Sequence, residues 1–250
     1  MGGAKADMAQ FVCRYRKGPE VRWISHLDLK RTIERAMRRA ELPLELTQGH
    51  NPHPKMSFGP PLPMGATGEA ELLAFHLAQA ADPAQVKERL DNQLPPGLEI
   101  GEVWLAPPQK KKETFGEVDL AEYLITITGQ VSAEQVRSRM KELLEAGELM
   151  VHRGGERPER EVDLRPLIQS LDVVQAGDDE VVLRARLKTG SHGGARPQEI
   201  VQFLGLERED CLIGYHRTGV YASAEATAPK SRGVWRRWSR SRGGPGRGGT

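Results

Sequence analysis

Cysteine is almost absent from this 250-residue chain: Cys13 and Cys211 stand far apart and alone. Two such thiols make neither a cysteine-rich metal site nor a disulfide framework, which points to a reducing cytoplasm. They also cannot supply the cysteine ligands of an iron–sulfur cluster, so no cofactor is expected on this chain. No apolar run approaches the ~20 residues of a membrane helix. The start, MGGAKADMAQ, has no apolar h-region, and Ala6 occupies the place where a myristoylation signal has Ser or Thr. The Gly-rich TGSHGGARP (189–197) lacks the Lys-Ser/Thr ending of a P-loop. His50 and His53 have no evident third ligand, so a metal site is not expected.

What is present is segregated charge. The net charge is +2, yet residues 1–68 carry a net of +5, residues 69–225 a net of −10 and residues 226–250 a net of +7. A basic front and tail around an acidic middle suit a polyanion at one face.

Hydrophobic periodicity gives the same rhythm twice. QFVCRYRKG (10–18) alternates as a strand, and SHLDLKRTIERAMRRA (25–40) has helical period. LPLEL (42–46) and EAELLAFHLAQ (69–79) read as strands, DPAQVKERLDNQL (82–94) as a helix and LEIGEVWLA (98–106) as a strand. In the second half, strands are expected at 121–129, 148–154, 179–190 and 211–221. Helices are expected at 132–147, capped by Ser132, and at 196–206. Each half therefore reads β-α-β-β-α-β. The expected fold is α+β: two tandem ferredoxin-like units with antiparallel sheets, over 10–108 and 119–225. A flexible start (1–9), a linker (109–118) and a disordered Arg/Gly-rich tail (226–250) complete the chain. Trp235 and Trp238 in that tail resemble the aromatics of Gly/Arg segments that contact RNA weakly.

On a helical wheel, Lys30, Arg31, Arg35, Arg38 and Arg39 fall on one arc of about 180°, with Glu34 among them. Leu29, Ile33, Ala36, Met37 and Ala40 fall on the opposite side. Ser25 and Asp28 form a capping-box-like start. Crowded cations repel one another unless an anion approaches, so this arc is a candidate polyanion surface.

TQGHNPHPKMSFGPPLPMG (47–65) holds five prolines and two histidines. Proline fixes φ and biases the preceding residue toward extended geometry. Asn51, His53, Pro60 and Leu62 each precede one, so the loop loses little entropy when it presents a side chain to a ligand. Met56, Phe58, Leu62 and Met64 are expected to anchor it to the core. His50, Asn51, His53 and Lys55 are candidate RNA contacts. His26 and His53 are also candidate acid–base groups, with Asp28 orienting an imidazole.

The stretch 23–73, WISHLDLKRTIERAMRRAELPLELTQGHNPHPKMSFGPPLPMGATGEAELL, resembles the opening signature of the radical-SAM-linked domain-of-unknown-function family. Later blocks resemble it at 160–174, 193–206 and 216–223. Ser25, His26, Asp28, Arg31, Asn51, Pro52, His53, Pro54 and Lys55 fall on the signature's polar and proline positions. His50 stands where an aromatic such as Phe is expected, which favours stacking over catalysis. The resemblance implies a stand-alone form that works with a radical SAM protein on an RNA substrate. Three functions remain open at this point: an RNA-binding accessory protein, an RNA-processing or RNA-modifying enzyme using His26 and His53, and a protein adaptor without nucleic acid.

Overall fold

Strict alternation in AQFVCRYRK puts Phe11, Cys13, Tyr15 and Lys17 on one side of a strand, and the computed structural model forms β1 (Ala9–Lys17) there. The structure describes residues 9–106, 114–154, 159–190 and 193–222. The N-terminal start, residues 109–113 of the expected linker and the expected tail with Trp235 and Trp238 lie outside the described residues.

The first half continues with α1 (His26–Arg39), a short β2 (Met56–Phe58), β3 (Thr67–Leu77), α2 (Pro83–Asp91) and β4 (Leu98–Leu105). The second half contains β5 (Leu120–Gly129), α3 (Ala133–Glu145), β6 (Met150–Arg153) and β7 (Arg160–Asp163). It ends with β8 (Ile168–Ala176), β9 (Glu180–Lys188), α4 (Pro197–Phe203) and β10 (Cys211–Tyr221). The fold is mixed α+β, with a large, mainly antiparallel sheet and four helices among the described residues.

Two apolar cores lie under the helices. Leu29, Ile33, Ala36 and Met37 of α1 meet Phe11, Leu73, Phe75 and Leu77 in one. Val136, Met140 and Leu143 of α3 meet Ile125, Ile127, Leu183 and Leu187 in the other. Burying each such aliphatic side chain contributes about 1.5–3 kcal/mol, which is why the apolar stripe of each helix fixes which face is left to water.

Separate sheets were expected for the two halves. Instead one eight-stranded sheet runs β4-β1-β3-β10-β5-β9-β8, with β2 on β3. The junction is short: β10 pairs in parallel with the start of β3 at His216↔Thr67 and Arg217↔Gly68. The same edge of β3 then accepts β2 through Met56↔Phe75 to Phe58↔Leu73. The edge is divided because β2 covers only its far end, leaving the near end for the second half.

Three local expectations also change. Residues 42–46 make isolated bridges, Leu44↔Leu77 and Leu46↔Pro54, and no strand; Pro43 removes a ladder donor there. Residues 148–154 contribute β6, which pairs only with β7 in a separate two-stranded sheet. The position beside β9 is filled instead by β8.

Candidate nucleic-acid interface

Ser25 starts α1. Its hydroxyl accepts from the Asp28 backbone N–H at 3.1 Å and donates to the Asp28 carboxylate at 2.8 Å. With Leu29, Ile33, Ala36 and Met37 buried, the cationic arc is turned outward. Arg31, Arg35, Arg38 and Arg39 are exposed and Lys30 is half-buried.

Several of these cations have partners. Arg38 reaches Glu34 at 3.0 Å, and Arg31 lies 3.6 Å from Asp28. Arg39 donates to the Gln93 backbone carbonyl at 2.5 Å. Among the described residues, Lys30 and Arg35 have no acidic partner within salt-bridge distance. Exposed pairs of this kind contribute about 0–1 kcal/mol, so an incoming phosphate can displace the carboxylate at small cost.

The proline-rich loop folds back beside this arc. Thr47 N–H donates to the His53 carbonyl at 2.8 Å, His53 N–H to the Thr47 hydroxyl at 3.1 Å, and Lys55 N–H to the Glu45 carbonyl at 2.8 Å. These bonds close a turn that leaves His50, Asn51 and His53 exposed. His53 Nδ1 lies 3.6 Å from Glu34, which joins the loop to the middle of α1. Lys55 is less available than expected: its ammonium is paired with Glu45.

The loop touches both cores. Met56 and Phe58 pack on the first and Leu62 on the second. Met64, expected as an anchor, is 59% exposed.

What holds the middle of the loop is Arg217 of β10, fully buried. Its Nη2 donates to the Pro60 carbonyl at 2.7 Å, and its Nη1 to the Pro61 carbonyl and the Tyr123 hydroxyl, each at 3.3 Å. Its Nε donates to Glu71 Oε1 at 2.9 Å, and Nη2 also meets Glu71 Oε2. Burial works against this charge, but Glu71 and Tyr123 more than offset it and hold the guanidinium above its ordinary pKa. Lys17, also buried, donates to the Arg22 carbonyl at 2.9 Å and the Ile24 carbonyl at 3.5 Å. Burial lowers the Lys17 pKa.

Arg217, Glu71, Tyr123 and Lys17 were not singled out from the sequence. A signal existed, because alternation puts Lys17 in line with Phe11 and Cys13, and Glu71 in line with Leu73 and Phe75. Charges on core-facing positions need partners.

The candidate acid–base groups have different neighbours. His26 meets the Phe58 ring edge-on, with centroids 5.3 Å apart. Burial, with Lys30 and Lys17 nearby, lowers its pKa. Asp28 is engaged by Ser25 and Arg31, so its carboxylate holds the Ser25 cap and orients no imidazole among the described residues. Of the other described histidines, His76 lies 3.6 Å from Glu45, His152 3.7 Å from Glu161, and His216 2.8 Å from the Thr67 hydroxyl. No group of three or more His, Cys, Asp or Glu suited to a metal ion occurs among the described residues. No described helix is long and apolar enough to cross a membrane.

The chain shares remote similarity with several solved structures. A Cbf5-Nop10-Gar1 complex chain is 13% identical, with 84% of this chain and 48% of that chain covered and a TM-score of 0.45. A chain of an H/ACA RNP bound to a substrate RNA containing 2'-deoxyuridine is 15% identical, with 84% and 45% covered and a TM-score of 0.40. The chain thus spans about half the length of these relatives. A protein described as unknown, from Galdieria sulphuraria, is 15% identical, with 85% and 99% covered and a TM-score of 0.27. No curated protein matches at the sequence level. Residues 10–197 match the model of the family described as "Uncharacterized protein conserved in bacteria (DUF2344)", and the chain belongs to that family.

Proposed function

We propose that the protein is an RNA-binding accessory subunit that works with a radical SAM enzyme in tRNA or rRNA modification or processing. The observation that carries the RNA reading is the joining of two surfaces: the cationic arc of α1 and the tip of the proline-braced loop, linked through Glu34 and His53 at 3.6 Å. Lys30, Arg31, Arg35, Arg38 and Arg39 supply phosphate contacts, and Lys55 adds one on exchanging Glu45 for a phosphate. His50, Asn51 and His53 meet bases or sugars. Phosphates give salt-dependent affinity and position the RNA, while the loop side chains discriminate. The radical SAM partner rests on the family resemblance alone, carried by residues 23–73 and the later blocks.

In this reading each half is a ferredoxin-like unit, 10–108 and 119–225. The strand orders β4-β1-β3-β2 and β10-β5-β9-β8, each built from a βαββαβ core, support that division. The β6–β7 hairpin is then an insertion in the second unit.

The test is binding of fluorescein-labelled tRNA across a salt series, with wild type and an Arg31→Glu/Arg35→Glu/Arg38→Glu variant. Wild type should lose affinity as salt rises, and each lost phosphate contact should reduce the log–log slope by about 0.7–0.9. Unchanged affinity and slope in the variant would remove this surface from consideration. Co-purification with the radical SAM protein, repeated after nuclease treatment, checks the partner separately.

A further inference from the structure

Just before α1, the turn between β1 and the helix carries a tryptophan outward. Trp23 is 64% exposed, although large aromatic rings bury well and this chain has few of them. The ring is not loosely held. One side rests against Gly65, where a Cβ would lie 2.8 Å from the indole Cζ3; Gly65 has φ +79°, a conformation glycine tolerates. The Arg22 guanidinium carbon lies 5.3 Å from the ring centroid. The backbone on either side of the ring is fixed by Lys17, whose buried ammonium donates to the Arg22 and Ile24 carbonyls. Gly65 N–H closes the arrangement by donating to the Arg22 carbonyl at 3.0 Å.

Burying an ammonium is costly unless it is well bonded. Here it fixes a turn whose most prominent product is an indole in water. A ring held this way loses little freedom on meeting a ligand, which favours binding. Leu27, four residues on, and Met64, next to Gly65, are also exposed. The charges on the turn and the first half of α1 are Arg22, Lys30 and Arg31 against Glu20 and Asp28, with Glu34, Arg35, Arg38 and Arg39 farther along the helix, and Asp28 is bonded to the helix cap. An aromatic face beside a guanidinium group, on the turn that leads into a cationic helix, is the combination that holds single-stranded nucleic acid: bases stack on the ring while cations take the phosphates.

We infer that Trp23 is a base-stacking platform for a single-stranded segment of RNA, with Arg22, Lys30 and Arg31 holding the flanking phosphates. This inference rests on the RNA-binding reading above and adds its ligand class: an unpaired stretch, whose stacking on the ring has no strict sequence preference.

The experiment uses the full chain and a fluorescein-labelled oligouridylate of about twelve nucleotides, in the range one such surface covers. Trp23→Ala should weaken binding at least about fivefold while the salt slope stays that of wild type, because no phosphate contact is lost. Trp23→Phe should retain most of the affinity. In a Trp104→Phe/Trp235→Phe/Trp238→Phe background, the remaining indole fluorescence should be quenched by the oligouridylate, a readout that does not depend on the alanine variant folding. Wild-type affinity in Trp23→Ala, or no quenching, overturns the inference while a slope change in the α1 triple variant keeps the RNA surface. Weakening with a matching loss of slope also overturns it, since the ring would then be arranging charges and not stacking. No salt-dependent RNA binding by wild type removes the functional reading and the inference together.

Discussion

Replacing Arg217 with Met keeps most of the side-chain volume and removes every donor it supplies. Arg217 is fully buried and Glu71 is 3% exposed, so the substitution leaves a carboxylate without its partner in the sheet interior. Removing one member of a buried pair costs about 3–5 kcal/mol, a large share of the ~5–15 kcal/mol that holds a typical domain together. The Pro60 and Pro61 carbonyls lose their donors as well. The cost should depend on pH in a defined direction. An unpaired buried carboxylate has its folded-state pKa raised above the ordinary value of about 4.3, so stability is retained below that value and lost as pH rises. Urea denaturation should therefore find the variant far less stable than wild type at about pH 8 and closer to it at about pH 5. Adding Glu71→Leu should restore much of the loss, though not all, because the two proline carbonyls remain unpaired. A loss below about 1 kcal/mol, or one equal at both pH values, would refute the assignment of this pair as a buried, mutually dependent unit.

Other expectations follow from individual sites. Gly65→Ala should cost about 1–2 kcal/mol in thermal unfolding, because a side chain at positive φ is disfavoured and the new methyl meets the Trp23 ring. Cys13 is buried and its pKa is pushed up to about 12, so thiol titration of the native protein near pH 8 should count Cys211 alone, and both thiols only after denaturation. His26 has a lowered pKa, so its proton is bound preferentially by the unfolded chain and stability should fall as pH drops below about 6.5; His26→Gln should flatten that part of the stability profile. Arg153 grips both Glu199 oxygens at 2.7 Å and the Gly194 carbonyl at 2.7 Å; Arg153→Ala should speed amide exchange in β6 and β7 before any change in the main sheet.

Helix α1 was legible because its signals are local: Ser25 caps it, and its apolar residues recur at helical spacing over its whole length. The last strand was legible for the same reason, and β10 covers the expected 211–221. β8 was not, since QSLDVVQA mixes polar and apolar residues without a clean period. The fusion of the halves into one sheet was hidden because it depends on a two-residue parallel contact between segments far apart in sequence. The cationic arc could be drawn from spacing alone, but the pairing of Lys55 with Glu45 could not, as it requires the turn to close first. Lys17 and Glu71 were readable as core-facing charges, yet Arg217 lies 146 positions from Glu71 and no local pattern connects them.

The buried cluster also answers why so stiff a loop exists. Pairing two charges away from water often gains no stability over apolar side chains of similar size, so the Arg217–Glu71 pair is poorly explained as a source of stability. Its geometry suggests another role. One guanidinium from the last strand bonds a carboxylate of β3, a hydroxyl of β5 and two carbonyls of the proline loop. An apolar substitute could fill that space but could not orient the carbonyls. The prolines restrict the loop from within, and Arg217 restricts its position from outside; neither alone fixes both. Lys17 does the same for the Trp23 turn. Two buried cations therefore set the positions of the two exposed segments that flank α1, which is what a preorganised recognition surface requires.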